Sequence, residues 1–205
     1  MMYPRQLKSG ELIQDNQMVT YREHMQQNHR LLFLSGVITG ETSAHDLIMT
    51  MDTLSNEPIK LVITSSGGDL DSTFLLYNTL KIVKSPIITI GRYCASAAAI
   101  LLAAGHKRYL YSYAKIMLHL PAGQMGGDAR DWDIQHKQMT QYKNRMVDIL
   151  RECGATKSHT EILADIDRDF WMEPTEAIAY GLADEIFTPE IWQSLIREEG
   201  NDYII

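Results

Sequence analysis

The chain has 205 residues, 45% of them hydrophobic, with 26 acidic against 19 basic side chains and a formal net charge of -7. That length suits one domain with a sizeable core and a short appended segment, and is tight for two. A net negative chain without a basic cluster is poorly suited to phosphate backbones, which excludes nucleic acid and points to protein or small-molecule partners. The apolar runs at 87–90 and 97–104 fall well short of the roughly 20 residues that span a bilayer. The opening stretch MMYPRQLKSGELIQDNQ has no hydrophobic signal core, so a soluble, cytoplasmic protein with no membrane partner is expected. Cys94 and Cys153 form neither a disulfide framework nor a CxxC pair, as in a reducing compartment.

Residues 1–28 are polar, with apolar side chains at no clear period. They read as an N-terminal arm, mobile or ordered by a partner, ahead of a single domain over 29–205. RLLFLSGVI (30–38) reads as a short buried strand leading to Gly36. In the following stretch Leu47, Ile48, Met51 and Leu54 recur at helical spacing, which predicts a helix of about three turns stopped at 56–58. KLVIT (60–64) is a second strand, and it runs into SSGGDLDS before Leu70, Phe74, Tyr77, Leu80 and Val83 resume helical spacing. IITI (87–90) is a third, followed by a helix in AAAILLAA (97–104) that Gly105 is expected to close in the left-handed C-terminal position.

A strand, turn, helix rhythm repeated three times implies an α/β fold, a parallel sheet flanked by helices, with ligand-facing residues at the carboxyl ends of the strands. KIML (115–118) and DEIF (184–187) extend the pattern. Between them Trp132, Met139, Tyr142, Met146 and Ile149 form a narrow apolar stripe on a long helix, which serves equally as core packing or as a subunit contact. EPTEAIAYG (173–181) is the last helix, with Pro174 suited to its first turn and Gly181 to its C-terminal cap.

Four places carry chemistry. In GRYCASAAAILLAAG (91–105), Ser96 sits at a helix start, where free N–H groups and the helix dipole favour negative charge. Taken alone, such a serine is more often a small packing residue or an N-cap. His119 ends the strand KIML; taken alone, it is more often a hydrogen-bonded core residue. In DIDRDFW (165–171), Asp165, Asp167, Asp169 and the later Glu176 have calcium-loop spacing, but Phe170 stands where the sharp turn needs glycine and Pro174 intrudes. No metal site is expected there. What remains is a solvated acidic face, or an aspartate that orients His119. The paired glycines of SSGGDL (65–70) let a ligand backbone approach and can aim N–H groups at a developing oxyanion. They match neither the P-loop nor the dinucleotide-binding glycine pattern, so no cofactor is expected. Each signal alone is weak, but the order Gly-Gly, Ser, His, Asp is informative.

On these residues the chain resembles the ClpP family, the proteolytic subunit of the ATP-dependent Clp protease, a serine peptidase. The motifs LLFLSGVI, SSGGDLDSTFLLYNTL, CASAAAILLAAG, IMLHLPAGQMGG and DRDFWMEPTEAIAYGLADEIF occur in family order over about residues 30 to 187. The resemblance implies a ClpP/crotonase-like fold of repeated β-β-α units with a parallel sheet core, and a long protruding helix at 129–152 that joins two rings. It implies Ser96 as nucleophile, His119 as general base, Asp169 as the residue orienting that base, and Gly68 and the N–H of Ala97 as the oxyanion hole. It further implies hydrolysis of unfolded polypeptide inside two stacked heptameric rings, a tetradecamer fed by an AAA+ unfoldase. Ser66 stands where the family usually has proline, and Ala97-Ala98 where it has methionine-glycine; the backbone roles survive both changes. Lys60 and Val62 fall where relatives commonly carry tyrosines in the pocket for the unfoldase loop, so weak or altered docking is expected. Two other classes compete: a non-catalytic or regulatory ring subunit, opposed by the intact Ser, His and Asp, and a crotonase-type acyl-CoA enzyme, which leaves that set unexplained.

Overall fold

A computed structural model describes residues 5–6, 11–14, 17–41, 44–124 and 126–196. Strands β1 (Arg5–Gln6), β2 (Glu11–Gln14) and β3 (Gln17–Thr20) pair antiparallel as a small separate sheet. The rest of the 1–20 stretch lies outside the described residues. Helix α1 (Tyr21–His29) comes next, started by a capping box in which the Thr20 hydroxyl accepts from the Glu23 N–H and the Glu23 carboxylate accepts from the Thr20 N–H. The sequence shows no period here because Met25 is the one buried residue on α1, and a single anchor makes no pattern. Arg30 ends the helix in the left-handed region at φ 48°. Its guanidinium donates to the carbonyls of Met51 and Ser55 and to the Ser85 hydroxyl.

The main sheet is built from β4 (Leu31–Ser35), β5 (Ile59–Ser65), β6 (Ile87–Ala95) and β7 (Lys107–Leu118), parallel and in chain order. Helices α2 (His45–Leu54), α3 (Leu70–Ile82) and α4 (Ala97–Ala103) make the crossovers. The apolar runs arise because parallel strands are covered on both faces: Leu31, Leu32 and Leu34 of β4 and Leu61, Val62 and Ile63 of β5 are all buried. All seven residues of α4 are buried too, which explains a helix with no polar face.

β6 and β7 are longer than their apolar cores suggest, and their pairing is irregular. Gly91 pairs with Leu110, but Tyr93 pairs with Lys115, so the register shifts between them. Such a bulge re-aims the residues beyond it, here Ser96 at the end of β6 and His119 at the end of β7. β8 (Phe170–Met172) pairs antiparallel with the upper part of β7, and β9 (Glu185–Ile186) pairs parallel with the lower part.

Gly105 departs from expectation. Ala104 caps α4 in the right-handed region at φ -72°, and Gly105 is not among the glycines with positive φ. Its small size matters instead: a Cβ would lie 2.5 Å from the Thr89 hydroxyl, which itself donates to the Leu102 carbonyl at 2.7 Å. Pro174 and Gly181 do occupy the first turn and the left-handed cap of α7 (Pro174–Tyr180).

The long helix α5 (Ala129–Glu152) divides the stripe read from its sequence. Met146 and Ile149 are core, Met139 and Tyr142 half-buried and Trp132 55% exposed, and Ile134, outside the stripe, is 66% exposed. Core packing therefore accounts for its C-terminal part alone. Short helices α6 (His159–Asp165) and α8 (Pro189–Ile196) complete the described chain. Among the described residues no helix is long and apolar enough to cross a membrane.

One side chain ties the C-terminal elements to the sheet. Arg108 of β7, its side chain 12% exposed, donates to the Asp184 carboxylate and to the carbonyls of Cys153 and Gly181. Burial pushes the Asp184 carboxyl up, but the Arg108 hydrogen bonds and charge outweigh it and hold the group below its ordinary value. A depressed carboxyl stabilises the fold above its unfolded pKa, and that contribution fades as pH falls through the folded value. Arg108→Ala is expected to cost about 2–3 kcal/mol near neutrality, because it leaves the Cys153 and Gly181 carbonyls without their donor and takes the guanidinium from the Asp184 carboxylate, which keeps only the backbone N–H of residue 108. Denaturant melts should show that penalty shrinking as Asp184 protonates below about pH 4.

Candidate active site

Ser96 joins β6 to α4 at φ 57° and ψ -126°. A residue with a Cβ held in so sparsely populated a conformation costs on the order of 1–3 kcal/mol and persists only where its surroundings impose it. Here they do. The Ser96 N–H donates to the Met117 carbonyl at 2.8 Å, and the Ser96 carbonyl accepts from the Ala99 N–H at 3.0 Å. Ala95, Ala97 and Ala98 around it are buried, while Ser96 itself keeps partial exposure. The alanine run thus lets a sharp strand-to-helix elbow form and leaves the hydroxyl accessible.

The Gly-Gly turn lies against this elbow. Gly67 has φ 92°, and a Cβ there would come within 2.8 Å of both the Ala95 carbonyl oxygen and the Ser96 Cβ. Gly68 has φ 155°, and a Cβ on it would overlap the backbone of Ile38. Ile38 donates to the Gly67 carbonyl at 2.8 Å and accepts from the Asp69 N–H at 2.9 Å, while the buried Ser65 hydroxyl accepts from the Gly67 N–H. The Gly68 N–H takes no part in these bonds. Ala97 opens α4, so its N–H has no partner within the helix. Neither N–H group expected to form an oxyanion hole is used by these bonds, and the turn that carries Gly68 lies against the Ser96 elbow through Gly67.

His119 comes directly after β7, and its Nε2 lies 2.7 Å from the Ser96 Oγ. Both neighbours of His119 are tied to the segment that carries Asp169. Leu118 pairs with Phe170, and the Leu120 N–H donates to the Ile166 carbonyl at 3.1 Å. Asp169 Oδ1 lies 3.6 Å from His119 Nδ1, with the Asp169 side chain 61% exposed. That separation is an ion-pair distance and is long for a hydrogen bond. The serine and histidine are thus in contact, and the aspartate stands just beyond it.

Asp165, whose spacing suits a calcium loop, instead accepts from Lys157 and from the Tyr180 hydroxyl. Among the described residues no cluster of three or more His, Cys, Asp or Glu is arranged to hold a metal ion. Cys94 lies two residues before Ser96, but complete burial drives its thiol pKa far up, which makes it inert as a nucleophile. Two contributors escape a reading of the sequence, Ile38 and Met117. Each acts through its backbone, so its side chain carries no signal. The one available hint is Gly36, in the left-handed region at φ 84°, which ends β4 early and frees Ile38 to bridge to Gly68.

Comparison with known proteins agrees with this arrangement of strands and turns. Residues 14–190 match the family model described as Clp protease. Proteolytic subunit 1 of the ATP-dependent Clp protease of Rhodopirellula baltica is 30% identical over 190 residues, 89% of this chain and 77% of that protein. The proteolytic subunit from Borreliella afzelii is 34% identical over 169 residues, 78% of this chain and 84% of its own. The chloroplastic proteolytic subunit 4 of Arabidopsis thaliana is 40% identical over 131 residues, 62% of this chain and 44% of the plant protein, so the match spans less than half of that relative. A family match that runs from β2 to the start of α8, through both the glycine turn and the serine elbow, leads to one conclusion: this chain belongs to the Clp protease family.

Proposed function

We propose that the protein is a serine endopeptidase subunit that hydrolyses peptide bonds of unfolded polypeptides inside an oligomeric chamber supplied by an ATP-dependent unfoldase. The observation that carries this reading is the 2.7 Å approach of His119 Nε2 to the hydroxyl of Ser96 on its strained elbow. His119 takes the Ser96 proton as Oγ attacks the peptide carbonyl, and the oxyanion of the tetrahedral intermediate accepts from the N–H groups of Gly68 and Ala97. The protonated imidazole then gives its proton to the leaving amine, which departs and leaves an acyl group on Ser96. Water, deprotonated by His119, releases that acyl group. Asp169 accepts from Nδ1–H and stabilises the imidazolium, closing the remaining gap when substrate fills the site.

In this reading residues 29–205 are the peptidase domain and 1–28 an arm. The exposure of Trp132 and Ile134 on α5 supports a contact between rings through that helix. Both cysteines are free, in keeping with a cytoplasmic chamber. Lys60, half-buried with its ammonium donating to the His29 carbonyl, presents charge where relatives offer an aromatic floor to the unfoldase loop.

A fluorophosphonate probe is expected to label the wild-type protein at Ser96, with labelling lost in Ser96→Ala, and native mass measurement to show a ring or double ring. Labelling at another residue, or none on the assembled protein, defeats the active-peptidase reading and leaves a non-catalytic ring subunit. A stable, active monomer defeats the chamber.

A further inference from the structure

Asp165 is the last residue of α6, where the helix dipole disfavours negative charge. Two donors compensate by converging on one of its oxygens, Lys157 Nζ at 2.7 Å and the Tyr180 hydroxyl at 3.0 Å. The same two side chains also hold Phe170. The Tyr180 and Phe170 ring centroids are 5.7 Å apart, and the Lys157 ammonium lies 5.8 Å from the Phe170 ring and 5.2 Å from the Tyr180 ring. Lys157 and Tyr180 therefore grip both ends of residues 166–169, the segment that ends in Asp169.

That segment faces His119 through two backbone attachments, Leu120 to Ile166 and Leu118 to Phe170. Asp169 itself is mostly in solvent, so the position of its carboxylate depends on the backbone that carries it. Tyr180 is 5% exposed, and burial first, then its bond to Asp165, raise its hydroxyl pKa, so the group stays a donor. None of these three side chains reaches Ser96, and the proton transfers between Ser96 and His119 do not use them.

We infer that Lys157, Asp165 and Tyr180 form a clamp that sets the reach of Asp169 toward His119 and thereby the rate of the chemical step. They are positioning residues, and the inference rests on the serine peptidase reading. A displacement of about 1 Å in such a site can cost up to roughly 100-fold in rate, so a loosened clamp appears in kcat while binding of the substrate chain is untouched.

The test measures kcat and KM on an unstructured fluorogenic peptide, with active sites counted by fluorophosphonate titration, for Tyr180→Phe, Lys157→Met, Asp165→Ala and Lys157→Arg. Tyr180→Phe and Lys157→Met are expected to lower kcat per titrated site about 10-fold, and Asp165→Ala by up to about 100-fold. KM should stay within about two-fold, and Lys157→Arg, which keeps both the ion pair and the cation over the rings, should retain wild-type kcat. The clamp is refuted if Tyr180→Phe and Lys157→Met reduce only the number of titratable sites or the melting temperature, with kcat per site unchanged. Should Asp165→Ala fail to fold, Tyr180→Phe decides, because it keeps the ring against Phe170. If wild-type protein does not titrate at all, the peptidase reading falls and the clamp with it, a result distinct from normal titration with unaffected variants.

Discussion

Ser96→Ala is expected to lower kcat on an unstructured peptide by about 10⁴- to 10⁶-fold, and His119→Ala by a similar factor. The two side chains act as one unit in the proposed mechanism. Without Oγ there is no group to attack the carbonyl, and without Nε2 at 2.7 Å nothing takes the proton as the bond forms. The double variant should therefore be little worse than either single one, since each already removes the whole nucleophilic route. Under the proposed mechanism, residual turnover would come from the N–H groups of Gly68 and Ala97, which would still polarise a bound carbonyl. Ser96→Ala opens no large cavity: Ser96 is partly exposed and the elbow is held by the Met117 and Ala99 backbone bonds, which alanine retains. Melting temperatures close to wild type should accompany the kinetic loss. A Ser96→Ala protein that keeps even a few per cent of wild-type turnover would show that the peptide bond is broken elsewhere.

The parts of this fold that are visible in the sequence are those where side chains report their surroundings. β4, β5 and the lower half of β6 are covered on both faces, so their apolar runs mark them. β7 is recognisable only at 115–118 because Tyr113 is 92% exposed and Lys107 and Arg108 take ionic partners, which breaks the run over its lower half. β8 escapes for a related reason. It is three residues long with Trp171 exposed, and its placement depends on backbone pairing with 116–118. α6 buries Ile162 alone, and one anchor cannot show a period. At the site, Ser96 and His119 are legible as strand-end residues, but their contact depends on the register shift at Gly91 and Tyr93, which involves residues whose side chains say nothing about it. Asp169 and His119 come from separate parts of the chain, so no local pattern supplies their separation. Gly105 is the right residue for the wrong physical reason, crowding by Thr89 in place of a left-handed cap.

Gly67→Ala is expected to lower kcat by about 100- to 1000-fold, the scale of losing one oxyanion donor, and the comparison with Gly36→Ala shows why. Both glycines are left-handed, at φ 92° and 84°, so alanine at either position carries a conformational penalty of about 1–2 kcal/mol. They differ in what surrounds them. A Cβ on Gly36 meets nothing within 4 Å, whereas on Gly67 it lies 2.8 Å from the Ser96 Cβ and 3.0 Å from the Ala97 nitrogen. Relief at Gly67 must come from moving either the serine elbow or the turn that carries the Gly68 N–H, and Ile38 and Asp69 pin that turn from its far side. Strain alone predicts similar drops in melting temperature for both variants; displacement of the elbow predicts a kinetic loss for Gly67→Ala only. Thermal melts with kcat measured on the same preparations separate the two contributions. Equal and near-wild-type kcat in both variants would mean that the elbow and the glycine turn move independently, and the oxyanion role of Gly68 would lose its structural basis.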